Sequence, residues 1–192
     1  MKKSFLFVCI GCLFTLFASP VIAQKGCSGI YLTAEDFLAG KLCSASAGRN
    51  KSTTTGYDLL SCRHLFVEQA GVTREMSQKD IYAVKCCDGN VVRIYHGDSY
   101  TLLNPGGNIP MYRVRVNSVG KGDVVRMKYY FSKDAASDIA DLTTDNLKTA
   151  FPDNLKFDDA LDAEFRSDRD LSGYDKAHQC YKLDRVYAAS KK

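Results

Sequence analysis

MYRVRVNSVGKGDVVRMKYYF, residues 111–131, carries the strongest structural signal in the chain. On both sides of a Gly-containing segment, apolar and polar side chains alternate with a period of two, the pattern of two strands joined as a β-hairpin. With Gly120, Lys121, Gly122 and Asp123 as the loop, Val119 opposes Val124. That register opposes Val116 to Met127, Val114 to Tyr129 and Tyr112 to Phe131 on one face. On the other it opposes Asn117 to Arg126, Arg115 to Lys128 and Arg113 to Tyr130. A slip of one residue would turn every side chain to the opposite face. The expectation is therefore one core face and one basic face.

Upstream, 80–87 and 91–96 read as a second hairpin around Asp88 and Gly89, in which Val84 faces Val92 and Tyr82 faces Ile94. After a turn at Gly97 and Asp98 the alternation resumes at 100–103. The stretches 59–68 and 72–76 are further strand candidates. Residues 104–110 carry two prolines and two glycines. They lack the Gly-Lys-Ser/Thr ending of a phosphate loop and open no helix, which makes them a connection. Nearer the start, Thr33 can cap a short helix through Ala34, Glu35 and Asp36, with Gly40 closing it.

Downstream of Ser132 the period changes to about 3.6. Ala135, Ile139 and Leu142 share a helical face, as do Leu147, Ala150 and Phe151, and then Phe157, Leu161 and Phe165. Ser132, Thr143 and Asn154 are candidate caps, and Pro152 stops the second helix. A last helical or mixed segment runs over 172–190. The class is α+β: an antiparallel meander of five or more strands over about 59–131, packed on one face by short helices drawn from 132–190.

Residues 1–23 have the anatomy of a cleaved secretory signal: Lys2 and Lys3, an apolar run from Phe5 to Ala18, and small residues before Gln24. The 169 residues that follow suit a single α+β domain over 24–192 with no transmembrane segment, placed in the periplasm or secreted. Of eight cysteines, Cys27, Cys43, Cys62, Cys86, Cys87 and Cys180 remain beyond the signal. In an exported chain they read as two or three disulfides, and 15 pairings are open. Cys86 and Cys87 should differ in partner, because adjacent strand residues point to opposite faces. Beyond residue 23 no C-x-x-C pair accompanies the scattered histidines, so neither a zinc site nor any other cofactor is expected.

Residues 24–131 hold 14 Lys and Arg against 9 Asp and Glu, whereas 132–192 hold 10 against 13. The asymmetry is too small to imply nucleic acid as a partner. Gly29 to Phe37, Lys79 to Tyr82, Tyr129 to Ser132 and Tyr174 to Lys176 together resemble an uncharacterised group of small exported proteins from Gram-negative bacteria. The resemblance implies an envelope or secreted setting and no particular activity or site residue.

For catalysis there is no Gly-x-Ser-x-Gly elbow. Cys62 and His64 lie two apart, on one face of a strand, but a cysteine in an oxidising compartment is first a disulfide candidate. Asp168, Asp170 and Ser172 with Gly173 match the first half of a calcium loop; Gln179 stands where a bidentate glutamate is needed, so no metal is assigned. What remains is the polar face of the central hairpin, Arg113, Arg115, Arg126 and Lys128, joined by Arg93 if its strand shares that face. Like charges set opposite one another call for an anionic neighbour. The expectation is a non-enzymatic exported binding module that meets an anionic envelope component or another envelope protein; the alternative is a small periplasmic hydrolase.

Overall fold

The computed structural model describes residues 27–48, 56–69, 71–117 and 125–192. The signal-like segment 1–23 and the hairpin loop 120–123 lie outside the described residues. Along the chain run β1 (Gly29–Tyr31), α1 (Ala34–Leu38), β2 (Ser44–Ser46), α2 (Gly56–Leu60), β3 (His64–Gln69), β4 (Val72–Ser77), β5 (Ala83–Lys85), β6 (Val91–Tyr95), β7 (Asp98–Leu102), β8 (Met111–Asn117), β9 (Val125–Ser132) and β10 (Ile139–Asp141). There follow α3 (Thr144–Ala150), α4 (Leu155–Glu164), β11 (Tyr174–Asp175), β12 (Cys180–Tyr181) and α5 (Lys182–Ser190).

A seven-stranded antiparallel sheet in the order β1-β5-β6-β7-β8-β9-β10 forms the body of an α+β fold. From β5 to β9 it is the expected meander, with Val84 opposite Val92, and β10 adds a strand to its edge. The strands near residues 64–77 do not belong to it: β2, β3 and β4 make a separate three-stranded sheet, joined to the larger one by a bridge between Cys43 and Ile30. Leu59, expected in a strand, is buried on α2.

Cross-strand pairing puts Ile30, Val84, Val92, Thr101, Arg113 and Tyr129 in one row on one face. The β1-side half of that face packs on Leu59, Ala45, Leu65 and Val67. Its other half, with Met111 and Phe131, packs under Leu147, Phe157, Leu161 and Leu183 of α3, α4 and α5. The opposite face is covered too: Tyr31, Leu102 and Tyr112 are buried with Phe37 of α1 and Ile139 of β10 against them. Both faces of the sheet are thus core, where the sequence pattern led one to expect a single covered face.

α1, α3 and α4 start where the sequence predicts, with the Thr33, Thr143 and Asn154 side chains accepting the N–H groups of Asp36, Asn146 and Phe157. The helix expected from Ala135, Ile139 and Leu142 does not form. Asp134 instead accepts the N–H groups of Ala136 and Ser137 at 2.9 and 2.7 Å and the Ser137 hydroxyl at 2.7 Å, a local alternative to helical bonding. Residues 133–138 become a strap, and Ile139–Asp141 pairs with Ser132–Tyr130 as an edge strand.

Candidate functional site

The central hairpin is present, but its register differs by one residue from the expected one. Arg113 opposes Tyr129, Val114 opposes Lys128, Arg115 opposes Met127, Val116 opposes Arg126 and Asn117 opposes Val125. The four cations are consequently divided. Arg113 and Arg115 share the Met111 and Phe131 face, while Arg126 and Lys128 share the Tyr112 and Tyr130 face, and the opposition of Arg115 to Lys128 does not occur. Alternation specifies a register only where one face is wet, and the base of this hairpin has no wet face: Met111, Tyr112, Phe131 and Ser132 are all buried.

Further out the hairpin loses its neighbours. β7 meets β8 at Leu102–Tyr112 and Thr101–Arg113, and β10 meets β9 no farther out than Tyr130. Among the described residues, Val114–Asn117 and Val125–Lys128 pair with one another alone, as a two-stranded arm. Val116, Val125 and Met127 keep 37 %, 46 % and 41 % of their surface exposed, and Arg115, Arg126 and Lys128 are exposed as well. Apolar and cationic side chains therefore alternate on both sides of the ribbon.

The charges are largely uncompensated. Lys128 lies 3.7 Å from Asp141 and 5.5 Å over the Tyr130 ring, and the Tyr130 phenol followed by the Asp141 carboxylate pushes its pKa above the ordinary lysine value. Arg113, Arg115 and Arg126 form no ion pair among the described residues. The acidic helices do not fold over the arm, and Asp162 bonds Lys148 at 2.7 Å instead. Burial raises the pKa of Tyr181, with nearby Arg113 opposing the rise.

Arg93 plays a different part. It is 4 % exposed, donates to the Tyr112 hydroxyl at 3.0 Å and the Ser137 carbonyl at 2.8 Å, and lies 5.1 Å from the Tyr82 ring centre. With the Tyr82 hydroxyl, which donates to the Ala135 carbonyl at 2.7 Å, it fastens the 133–138 strap to the sheet. It is internal architecture.

Among the described residues there is one disulfide, Cys27–Cys87, with Cα atoms 4.6 Å apart; Cys43, Cys62, Cys86 and Cys180 are thiols. The further bridges expected from the cysteine count are absent there. Cys43 pairs across β1 with Ile30, which pairs with Val84 of β5, so two strand spacings of about 4.8 Å hold Cys43 beyond disulfide reach of β5. Burial pushes the Cys86 thiol up to about 11. Cys87 is bridged to Cys27 and Cys86 is a buried thiol, so the second disulfide partner expected for Cys86 is not found among the described residues.

Cys62 and His64 form no dyad: the Cys62 thiol meets the Asp58 carbonyl at 3.3 Å, and the His64 ring lies 3.6 Å from Glu75. The calcium-like residues fall in a 3-10 turn, Asp168–Ser172. Asp168 accepts the Thr144 N–H at 2.9 Å, Asp170 accepts the Ser167 N–H at 3.1 Å, and the Ser172 hydroxyl donates to the Arg169 carbonyl at 3.3 Å. Among the described residues no group of three or more His, Cys, Asp or Glu could hold a metal ion.

Two features are not marked by the sequence pattern. Asp184, buried on α5, accepts from the Asn104 amide at 2.6 Å and from the Asn108 and Ile109 N–H groups at 2.9 and 3.2 Å, tying down the glycine-containing loop. A Cβ at Gly107 would come within 2.6 Å of that carboxylate. The loop separates a cleft of about 200 Å³ beside Phe37 and Ala135 from one of about 300 Å³ beside Tyr174, Cys180 and Tyr181. Second, the exposed Val116, Val125 and Met127 look like core in an alternating string. The signal that could have marked them is length, since β8 and β9 have 7 and 8 residues beside 5 in β7.

Among the described residues no helix is long and apolar enough to cross a membrane. No protein-family model, curated protein or solved structure matches the chain.

Proposed function

We propose that this chain is an exported protein of the cell envelope that works by binding and not by catalysis, and that the β8–β9 arm is its binding element. The observation that carries the reading is the set of exposed guanidinium groups at Arg113, Arg115 and Arg126, none of them ion-paired among the described residues. Cations gathered on two strands about 4.8 Å apart create a local positive potential well above that of the chain as a whole, whose net charge is +4. An anionic envelope component is the complementary partner. The signal-like start of the chain and the Cys27–Cys87 bridge support an oxidising, exported setting.

Retention on an immobilised polyphosphate column tests this. The protein should bind at low salt and elute as added salt shortens the screening length from about 10 Å at 0.1 M toward about 3 Å at 1 M. Arg115→Ser with Arg126→Ser should elute markedly earlier at an unchanged melting temperature. Flow-through of the wild type at low salt, or identical elution of the two proteins, would remove the arm as the binding element.

A further inference from the structure

The arm carries more than charge. A two-stranded ribbon without further support is marginally stable in water, and this one spends its exposed positions on Val116, Val125 and Met127, set between Arg115, Arg126 and Lys128. The cations stand on both sides of the ribbon. A rigid protein partner lying on one side would leave Arg115 or the pair Arg126 and Lys128 facing away from it. A fluid layer into which the ribbon sinks meets both sides together. An interfacial layer with anionic head groups outside and acyl chains beneath offers phosphates to the guanidinium groups and an apolar floor to the valines and methionine, with the long basic side chains reaching back up to the charge.

Building on the anion-binding reading above, we propose that the partner of the arm is an anionic lipid surface, into whose head-group layer Val116, Val125 and Met127 insert while Arg115, Arg126 and Lys128 engage the phosphates. The arm is then a reversible surface anchor for a protein whose described helices do not cross a membrane.

Co-sedimentation with vesicles of equal phosphatidylcholine and phosphatidylglycerol, with phosphatidylcholine vesicles and soluble polyphosphate as comparisons, tests it. The wild type should bind the mixed vesicles and leave the pure phosphatidylcholine ones. Replacing Val116, Val125 and Met127 together by Ser keeps every charge and should weaken vesicle binding by about tenfold or more, the scale of losing a few buried apolar side chains, with polyphosphate binding unchanged. Because the chain has no tryptophan, Val116→Trp supplies a single reporter in an otherwise intact protein. Its emission should shift to the blue on mixed vesicles and be quenched by brominated acyl chains. Unaltered emission, or full vesicle binding by the triple variant, overturns insertion. Binding to polyphosphate without binding to vesicles overturns the lipid partner and leaves the anion-binding reading standing; binding to neither overturns both.

Discussion

The base and the arm of the β8–β9 hairpin share two strands, one ladder and one alternation of side chains, yet the base hides both of its faces and the arm hides neither. At the base, Met111 and Phe131 lie under the C-terminal helices, and Tyr112 lies on the other side of the sheet with Leu102. Four residues farther out, Arg115, Val116, Arg126 and Met127 are exposed. A period of two places residues on opposite sides of a sheet; whether a side is wet depends on which elements come to lie there. The arm is long relative to its neighbours, and that length, not its pattern, sets it apart.

Substitutions should reproduce this contrast. The largest effect is expected at the base: Phe131→Ala removes a side chain 2 % exposed and should cost about 3–5 kcal/mol in denaturant unfolding. A loss below about 1 kcal/mol would show that the base is no better packed than the arm. Next comes the loop that delivers β8 to the helices. Asp184→Ala leaves the N–H groups of Asn108 and Ile109 unpaired and should cost about 2 kcal/mol.

A smaller effect should follow pH at the strap that leaves the base. The Ser137 hydroxyl, and then the amides of Ser137 and Ala136, hold the Asp134 carboxyl below the ordinary aspartate range. A carboxyl with a depressed folded value contributes stability that is complete above the unfolded pKa of about 3.9 and is lost as pH falls through the folded one. Melting temperatures of the wild type and Asp134→Asn should accordingly differ near neutrality and converge in acid; a constant gap would remove the ionised carboxylate from the account. The smallest effect belongs to the arm, where Val125→Ser should change stability by no more than about 0.5 kcal/mol. Amide hydrogen exchange should be fast at Arg126 and Met127 and slow at Tyr112 and Phe131, and equal protection would abolish the distinction.

Much of the local structure was legible because its causes are local. Thr33, Thr143 and Asn154 cap the helices they precede, and Val84 meets Val92 across a short turn. What was not legible depends on contacts made at a distance. The spacing of Ala135, Ile139 and Leu142 fits a helix as well as a strap, and the choice is made by Arg93 and Tyr82, more than forty residues upstream, which bind the strap's carbonyls. β3 and β4 look like any other hairpin in the sequence, and only their pairing with β2 assigns them to another sheet. The basic site was legible as residues but not as a surface. Arg113, Arg115, Arg126 and Lys128 were all identifiable, whereas their division between two faces followed from a register fixed by burial on both sides of the base.

The position of β1 bears on how the chain assembles. From β5 to β10 each strand of the large sheet bonds to the one made just before it, so this part can zip up from local contacts as it emerges. β1 cannot: Ile30 must wait for Val84, and the chain between them carries β2, β3 and β4. Closure of the long loop carries an entropic cost that the local pairings do not, and Cys27 and Cys87 sit at its two ends. The rate at which those thiols oxidise during refolding is therefore a clock for the docking of the first strand, set apart from the formation of the meander it completes.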